Sequence, residues 1–173
     1  MNVQMFIILC ATCTGAHLVR LVYEILKHKK VLVPGRLSFI IIFINMVILW
    51  MSWVALCSID VYRITVPALI KYSGLVLCGI GIIIFITSLL TIRSLETYEG
   101  DLITRGIYSK IRHPMYLSFI LWLFGFSVFS EAGISFLLAF SYASNILIWR
   151  YLEEKELDAR FPAYHDYKKR TYF

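Results

Sequence analysis

Side chains able to do chemistry concentrate in two polar segments of the C-terminal half. The first, GDLITRGIYSKIRHPMY at residues 100–116, sets Arg112, His113 and Pro114 at the mouth of an apolar run, between Tyr108 and Tyr116. Proline suits the first turn of a helix, where its missing N–H would be unpaired anyway, so Pro114 predicts a helix start. The free N–H groups of that turn, with His113 beside them, would make a seat for a carboxylate. The competing reading takes Arg112 and His113 as interfacial anchors and the tyrosines as an aromatic belt. The second segment, RYLEEKELDARFPAYHDY at residues 150–167, places Glu153 and Glu154 about one turn beyond another apolar run. A carboxylate there could accept hydrogen bonds from ribose hydroxyls or balance a cationic ligand. The plainer alternative is a solvated helix face shared with Lys155 and Arg160.

The elements that must position these segments are membrane spans. Of the 173 residues, 60% are hydrophobic and only 16% charged, and the mean hydropathy is +0.75. Soluble domains carry about 25% charged residues, so the bilayer is the expected solvent. Five apolar stretches are legible: about Val3 to Leu26, Leu37 to Cys57, Val66 to Ile92, Tyr116 to Phe129 and Ile134 to Trp149. The opening MNVQMFIILC has no basic flank and no small-residue cleavage signal, so it reads as a retained span. Only Ser130, Glu131, Ala132 and Gly133 separate the last two stretches, which predicts a tight helical hairpin. The expected fold is all-α and polytopic, with about five transmembrane helices, a cytosolic loop and a C-terminal helix broken near Pro162. One domain is expected, with three spans in residues 1–92 and a catalytic region in residues 93–173.

Basic residues set the orientation. They cluster after the first stretch (Lys27, Lys29, Lys30, Arg36), after the third (Arg93, Arg105, Lys110, Arg112) and in the tail, whereas the opposite loops hold only Arg63 and Lys71. This places the N-terminus outside and the C-terminus in the cytosol. The hairpin then returns both polar segments to one membrane face, where a site can form between them. The net charge of +6, distributed in this way, suits anionic headgroups and not nucleic acid.

Other polar residues within the spans read as structural. Cys10 and Cys13 make a CxxC, but no second pair or nearby histidine supports a metal site, and with Cys57 and Cys78 they read as packing residues. His17, Arg20 and Glu24 share a face of the first span; their depth near the cytosolic end and an Arg20–Glu24 pairing favour a structural role over the functional one that intramembrane charge invites. Asn45 predicts an interhelical hydrogen bond.

The paired motifs carry a family resemblance. Arg112, His113, Pro114 and Tyr116, followed by a hairpin and then by Glu153, Glu154, Leu157, Phe161, Tyr164 and Tyr167, resemble the pattern of the isoprenylcysteine carboxyl methyltransferases. Leu102, Ile103, Gly106, Ile107 and Tyr108 match an upstream element, and related pieces occur in phospholipid N-methyltransferases. The resemblance covers roughly residues 93–170 and reaches the first three spans only in hydropathy. It implies S-adenosylmethionine as methyl donor, held by Gly100, Asp101, Leu102, Ile103, Tyr108, His113, Pro114, Met115, Tyr116 and Glu153. No Gly-x-Gly-x-x-Gly after a predicted strand offers the usual soluble alternative.

Methyl transfer from a sulfonium needs few protein groups, because the donor is already activated. Holding the reactants in line can supply about 7–11 kcal/mol. A carboxylate acceptor needs no base, and Arg150 is the candidate to hold it by two parallel hydrogen bonds. An amine acceptor would need deprotonation, by Glu154 or His113. In the resembling family the substrate-orienting arginine lies four residues before the first glutamate, where this chain has Trp149; Pro162 likewise replaces a glycine. The expected activity is carboxyl O-methylation of an isoprenylcysteine-type or other lipophilic substrate, with membrane lipids as surroundings. The alternatives are a phospholipid or amine N-methyltransferase, an NADPH-dependent sterol-type membrane reductase, and a non-catalytic membrane protein. Oligomeric state has no signal in the sequence.

Overall fold

A computed structural model describes residues 3–92 and 102–173, so the expected donor contacts Gly100 and Asp101 lie outside the described residues. The described residues form α1 (Val3–His28), α2 (Arg36–Ser58), α3 (Ala68–Ile92), a single 3₁₀ turn (Gly106–Ser109), α4 (Pro114–Phe129), α5 (Gly133–Arg160) and α6 (Tyr164–Arg170). Among them there is no strand, only two isolated bridges, Arg63 with Ala132 and Ile111 with Tyr172. The chain is an all-α membrane protein. Three helices, α1 to α3, are long and apolar enough to cross a bilayer, and α4 is a shorter apolar helix. Their outer surfaces carry exposed Ile7, Leu69, Ile83 and Leu90, which only lipid would cover favourably.

The hairpin forms where expected. Its turn, Ser130 to Ala132, takes Glu131 through a left-handed φ of 56°. The fifth apolar stretch is longer than its hydropathy suggests: α5 continues unbroken from Gly133 to Arg160. Its 28 residues run about 42 Å at 1.5 Å per residue, more than the roughly 30 Å hydrocarbon core, and its charged residues all fall from Arg150 onward. The chain breaks after Arg160, just before Pro162, as proline chemistry predicts, and α6 follows as a separate short helix.

Two polar clusters, one at each end of the bundle, lock the helices. At the end holding the hairpin turn, buried Asp60 accepts hydrogen bonds from Ser135 N (2.7 Å), Ser135 Oγ (2.6 Å) and Tyr62 N (2.9 Å). It therefore caps the first turn of α5 from another loop, satisfying amide groups that α5 itself cannot. Arg63 donates to the carbonyls of Ser130 and Ser58, and Lys71 pairs with Glu131 at 2.9 Å. At the other end stand the last turns of α1 and α5, α6 and the segment leading into α4.

Between these ends the packing follows from small residues and aromatic rings. α3 and α4 make the closest helix pair, because Gly74 and Gly125 let the backbones touch: a Cβ on Gly125 would lie 2.7 Å from the Gly74 carbonyl oxygen. Small residues permit such approach in membrane helices, where dispersion and not hydrophobicity drives association. The core along α1, α2 and α5 is built from Cys13, Leu49, Trp53, Tyr142, Ile146 and Trp149. Asn45 Nδ2 donates to the Ala16 carbonyl at 3.0 Å, the expected interhelical bond.

Candidate active site

Pro114 begins α4 and His113 is its N-cap residue, which fixes the imidazole at the point where the preceding segment meets the bundle. Glu153 and Glu154 stand on α5 just beyond its apolar stretch. Being adjacent on a helix, their side chains diverge by about 100°. His113 bridges them: its Nδ1 lies 3.7 Å from Glu153 Oε2 and its Nε2 3.5 Å from Glu154 Oε1. Thus the two segments, separated in sequence by the apolar hairpin, share one cluster of side chains.

Glu154 faces inward and is buried. Around its carboxylate are Lys168 Nζ at 3.2 Å, Arg112 Nε at 3.3 Å and Arg150 Nε at 4.0 Å. The hydrogen bond from His113, and then that from Lys168, hold its carboxyl down at about 2 despite the opposing effect of burial. Arg112 also donates through Nη1 to the carbonyls of Lys168 (3.0 Å) and Thr171 (2.6 Å). The backbone completes the clamp, with Arg112 N donating to Tyr172 O at 3.0 Å and Tyr172 N to Lys110 O at 2.8 Å. Tyr167 donates its hydroxyl to the Tyr108 carbonyl at 2.6 Å; burial pushes that phenol up to about 12, so it remains a donor. The Tyr164 hydroxyl, raised likewise by burial, lies 3.4 Å from His113 Nε2.

Glu153 faces the other way, and its side chain is 37% exposed. Within its electrostatic reach are the phenols of Tyr108 and Tyr116. The Tyr116 ring sits 5.7 Å from the His113 ring. The structure therefore gathers Tyr108, His113, Tyr116, Glu153 and Glu154, with Pro114 buried directly beneath His113 in the sequence. Met115 follows it on the first turn of α4, its carbonyl taken by Ser118 Oγ at 2.6 Å. Leu102 and Ile103 are half-buried at the start of the segment. Arg150 engages the tail, with its guanidinium 4.8 Å over the Phe173 ring.

Gly106 shapes that segment. It adopts φ +59°, a left-handed conformation that L side chains avoid, and a Cβ there would meet Thr91 Oγ1 of α3 at 2.9 Å. The turn can seat on α3 only because no side chain intervenes.

Other residues complete this cluster: Tyr164 and Tyr167, named in the sequence only as motif positions, and Lys168 and Thr171 close the cleft from the tail, where Arg112 meets them. From α1 come Arg20 and Glu24, paired at 2.5 Å, and Glu24 lies within electrostatic range of Glu153. Their i, i+4 spacing within an apolar span was the available signal.

The sequence model described as phospholipid methyltransferase matches residues 69–163, more than half of the chain, from the first turn of α3 through the first motif segment and into the second as far as residue 163. No curated protein and no solved structure matches the chain.

Proposed function

The chain belongs to the phospholipid methyltransferase family and is a membrane methyltransferase; we propose that it transfers the methyl group of S-adenosylmethionine to the carboxylate of a lipophilic acid, an isoprenylcysteine being one such acceptor. The residues present fit that donor. Glu153 offers a partly exposed carboxylate to hydroxyls or to a positive centre, with the Tyr108 and Tyr116 phenols in its range and His113 at its side. When bound, S-adenosylmethionine supplies a methyl group whose C–S bond breaks with its electron pair staying on sulfur as the acceptor oxygen forms the new C–O bond. Tyr108, His113, Pro114, Met115, Tyr116 and Glu153, with Leu102 and Ile103 upstream and Gly100 and Asp101 beyond the described residues, are the assigned donor contacts.

The observation that carries the choice of acceptor is the state of Glu154. Its carboxylate is spent on His113, Lys168 and Arg112, and a group held near 2 makes a poor proton acceptor at neutral pH. An acceptor already ionised, such as a carboxylate, needs no base. Glu154 on this reading positions His113 and the tail. Arg150 remains a candidate to hold the acceptor anion at the tail side.

A second reading, N-methylation of a phospholipid amine, is favoured by the pair Glu24 and Glu153, which lie within electrostatic range of each other and would attract an ammonium group. Base-labile methyl esters among the labelled products support the first reading; base-stable N-methyl groups support the second. Residues 93–173 are assigned as the catalytic region of one domain. The positive-residue bias supports placing this face in the cytosol and the N-terminus outside.

The test is equilibrium binding of labelled S-adenosylmethionine to the full chain in detergent. His113→Ala and Glu153→Ala are expected to weaken binding about tenfold or more, the value of one lost charge-assisted contact. Wild-type binding in both well-folded variants would remove the pocket.

A further inference from the structure

Among the described residues, the buried side-chain polar atoms lacking any hydrogen-bond partner are His17 Nδ1 and Nε2, Arg20 Nε, Trp53 Nε1, Asn145 Oδ1, Trp149 Nε1 and Arg150 Nε. They are not scattered. His17 stacks on Tyr142 at 4.2 Å and on Trp149 at 5.6 Å, Trp53 meets the same Tyr142 ring edge-on at 5.6 Å, and the Arg20 guanidinium lies 5.7 Å over Trp149. One track of orphaned polar atoms thus runs along the α1–α5 seam to Arg20 and Trp149, one turn before Glu153 on α5, with Tyr116 within electrostatic range of Arg20, Glu24 and Glu153. Burying polar atoms without partners is unfavourable, most of all in an apolar layer. Purely structural glue between α1 and α5 would have closed these bonds internally, as Asn45 and Asp60 do elsewhere.

Arg20 is suited to hold an anion at this place. Its Nη2 atom is engaged by Glu24, while Nε has no partner and the side chain is 18% exposed. On the same helix, nearer its start, an apolar trough of about 440 Å³ is lined by Phe6, Cys10, Ala11, Thr14, Gly15 and Leu18. Residues 6–18 cover about 18 Å of helix, the length of a long hydrocarbon chain. A Cβ added at Gly15 would meet nothing within 4 Å, so the trough is open there.

We propose that α1 is the acceptor-binding wall of the methyltransferase, with Arg20 holding the carboxylate of a lipophilic acid beside Tyr116 and Glu153 and the trough around Gly15 taking its hydrocarbon chain. This rests on the carboxyl-methylation reading above and adds to it the residue that selects the acceptor. It also gives the charged face His17–Arg20–Glu24 a function beyond helix pairing.

The test compares binding of tritiated S-farnesyl-N-acetylcysteine and of its methyl ester to the full chain in lipid nanodiscs, with labelled S-adenosylmethionine binding measured in parallel. Wild type is expected to prefer the acid by about tenfold, the size of one charge-assisted contact. Arg20→Gln should abolish that preference, and Arg20→Lys should keep part of it. The double variant Arg20→Gln, Glu24→Gln removes both charges, so no buried carboxylate is left unpaired; it should fold and still lack the preference. Gly15→Leu should weaken acid and ester alike by filling the trough. S-adenosylmethionine binding should stay within about twofold of wild type in all of them, well short of one charge-assisted contact. The proposal is overturned if wild type does not distinguish acid from ester, or if the double variant still does. Should wild type fail to bind S-adenosylmethionine yet discriminate acid from ester, the methyl-transfer reading falls while the anion site stands.

Discussion

Glu154 is buried and has Arg112, His113, Lys168 and Arg150 around it, whereas Glu153, one residue earlier, is partly open. Removing a partner from such a buried cluster is more harmful than the pairs are individually favourable, because charge is left unpaired. The acidity of Glu154 converts this into a pH dependence. Its carboxyl is held at about 2 against an ordinary 4.5; a depressed folded value means that the stabilisation is fully present above 4.5 and fades as pH falls toward 2. Docking of α6 and residues 171–173 should therefore loosen across that window. Limited acid proteolysis in detergent should show the tail becoming cleavable between pH 4.5 and 2. Glu154→Gln should release the tail already at neutral pH and flatten the profile. A tail equally protected at pH 2 and 7 would remove Glu154 from this role.

At the scale of elements, the loop before α4 and the end of α5 meet because α3, α4 and α5 are held at fixed offsets. The Gly74–Gly125 contact sets one of these offsets. A methyl group on Gly125 would lie 2.7 Å from Gly74 O and 3.0 Å from Cys78 N, both backbone atoms that cannot swing aside, while one on Gly79 would meet nothing within 4 Å. Gly125→Ala should cost about 1–3 kcal/mol through overpacking, read as a lower midpoint of thermal unfolding in detergent. Gly79→Ala, on the open face of α3, should leave the midpoint unchanged or raise it slightly, since alanine favours helix over glycine. Equal effects would mean that the helices do not touch at Gly125. These contacts also show what a sequence can disclose. The hairpin turn was legible because four small or polar residues, Ser130 to Gly133, interrupt the apolar run, and Pro114 and Pro162 marked a helix start and stop. The His113–Glu153 meeting was legible because paired motifs flank that hairpin. Asp60 capping α5, Tyr172 bridging to Ile111, and Gly74 facing Gly125 were not, because each depends on a partner 50 to 75 positions away that no local period or spacing encodes. The continuity of α5 was hidden for a different reason: hydropathy ends at Trp149, so the helical tail expected up to Pro162 read as a separate element, whereas it carries on the same helix to Arg160.

At the scale of the whole molecule, the two polar clusters lie at opposite ends of the bundle, and each is made of segments distant in sequence. The loop around Tyr62 touches the hairpin turn, through Gly133 N donating to Tyr62 O at 2.8 Å and Ile64 N to Glu131 O at 3.0 Å. The end of α1 reaches α5 at the other end, through Lys27 and Glu156 at 3.3 Å. Residues 33 and 169 must then share one side of a membrane, and residue 62 the other. Tyr62 and Val33 are 61% and 85% exposed, and the Lys169 side chain is 64% exposed, so single cysteines there would be open to reagent. In a background with Cys10, Cys13, Cys57 and Cys78 changed to alanine, a membrane-impermeant maleimide applied to intact cells should label Tyr62→Cys alone. Val33→Cys and Lys169→Cys should label only after permeabilisation. If all three patterns invert together, the site faces outward, and the charge-bias argument fails while the cleft survives. If Val33→Cys and Lys169→Cys label from different sides, α1 cannot stand beside the end of α5, and both Arg20 and Glu153 lose the neighbours on which the chemistry relies.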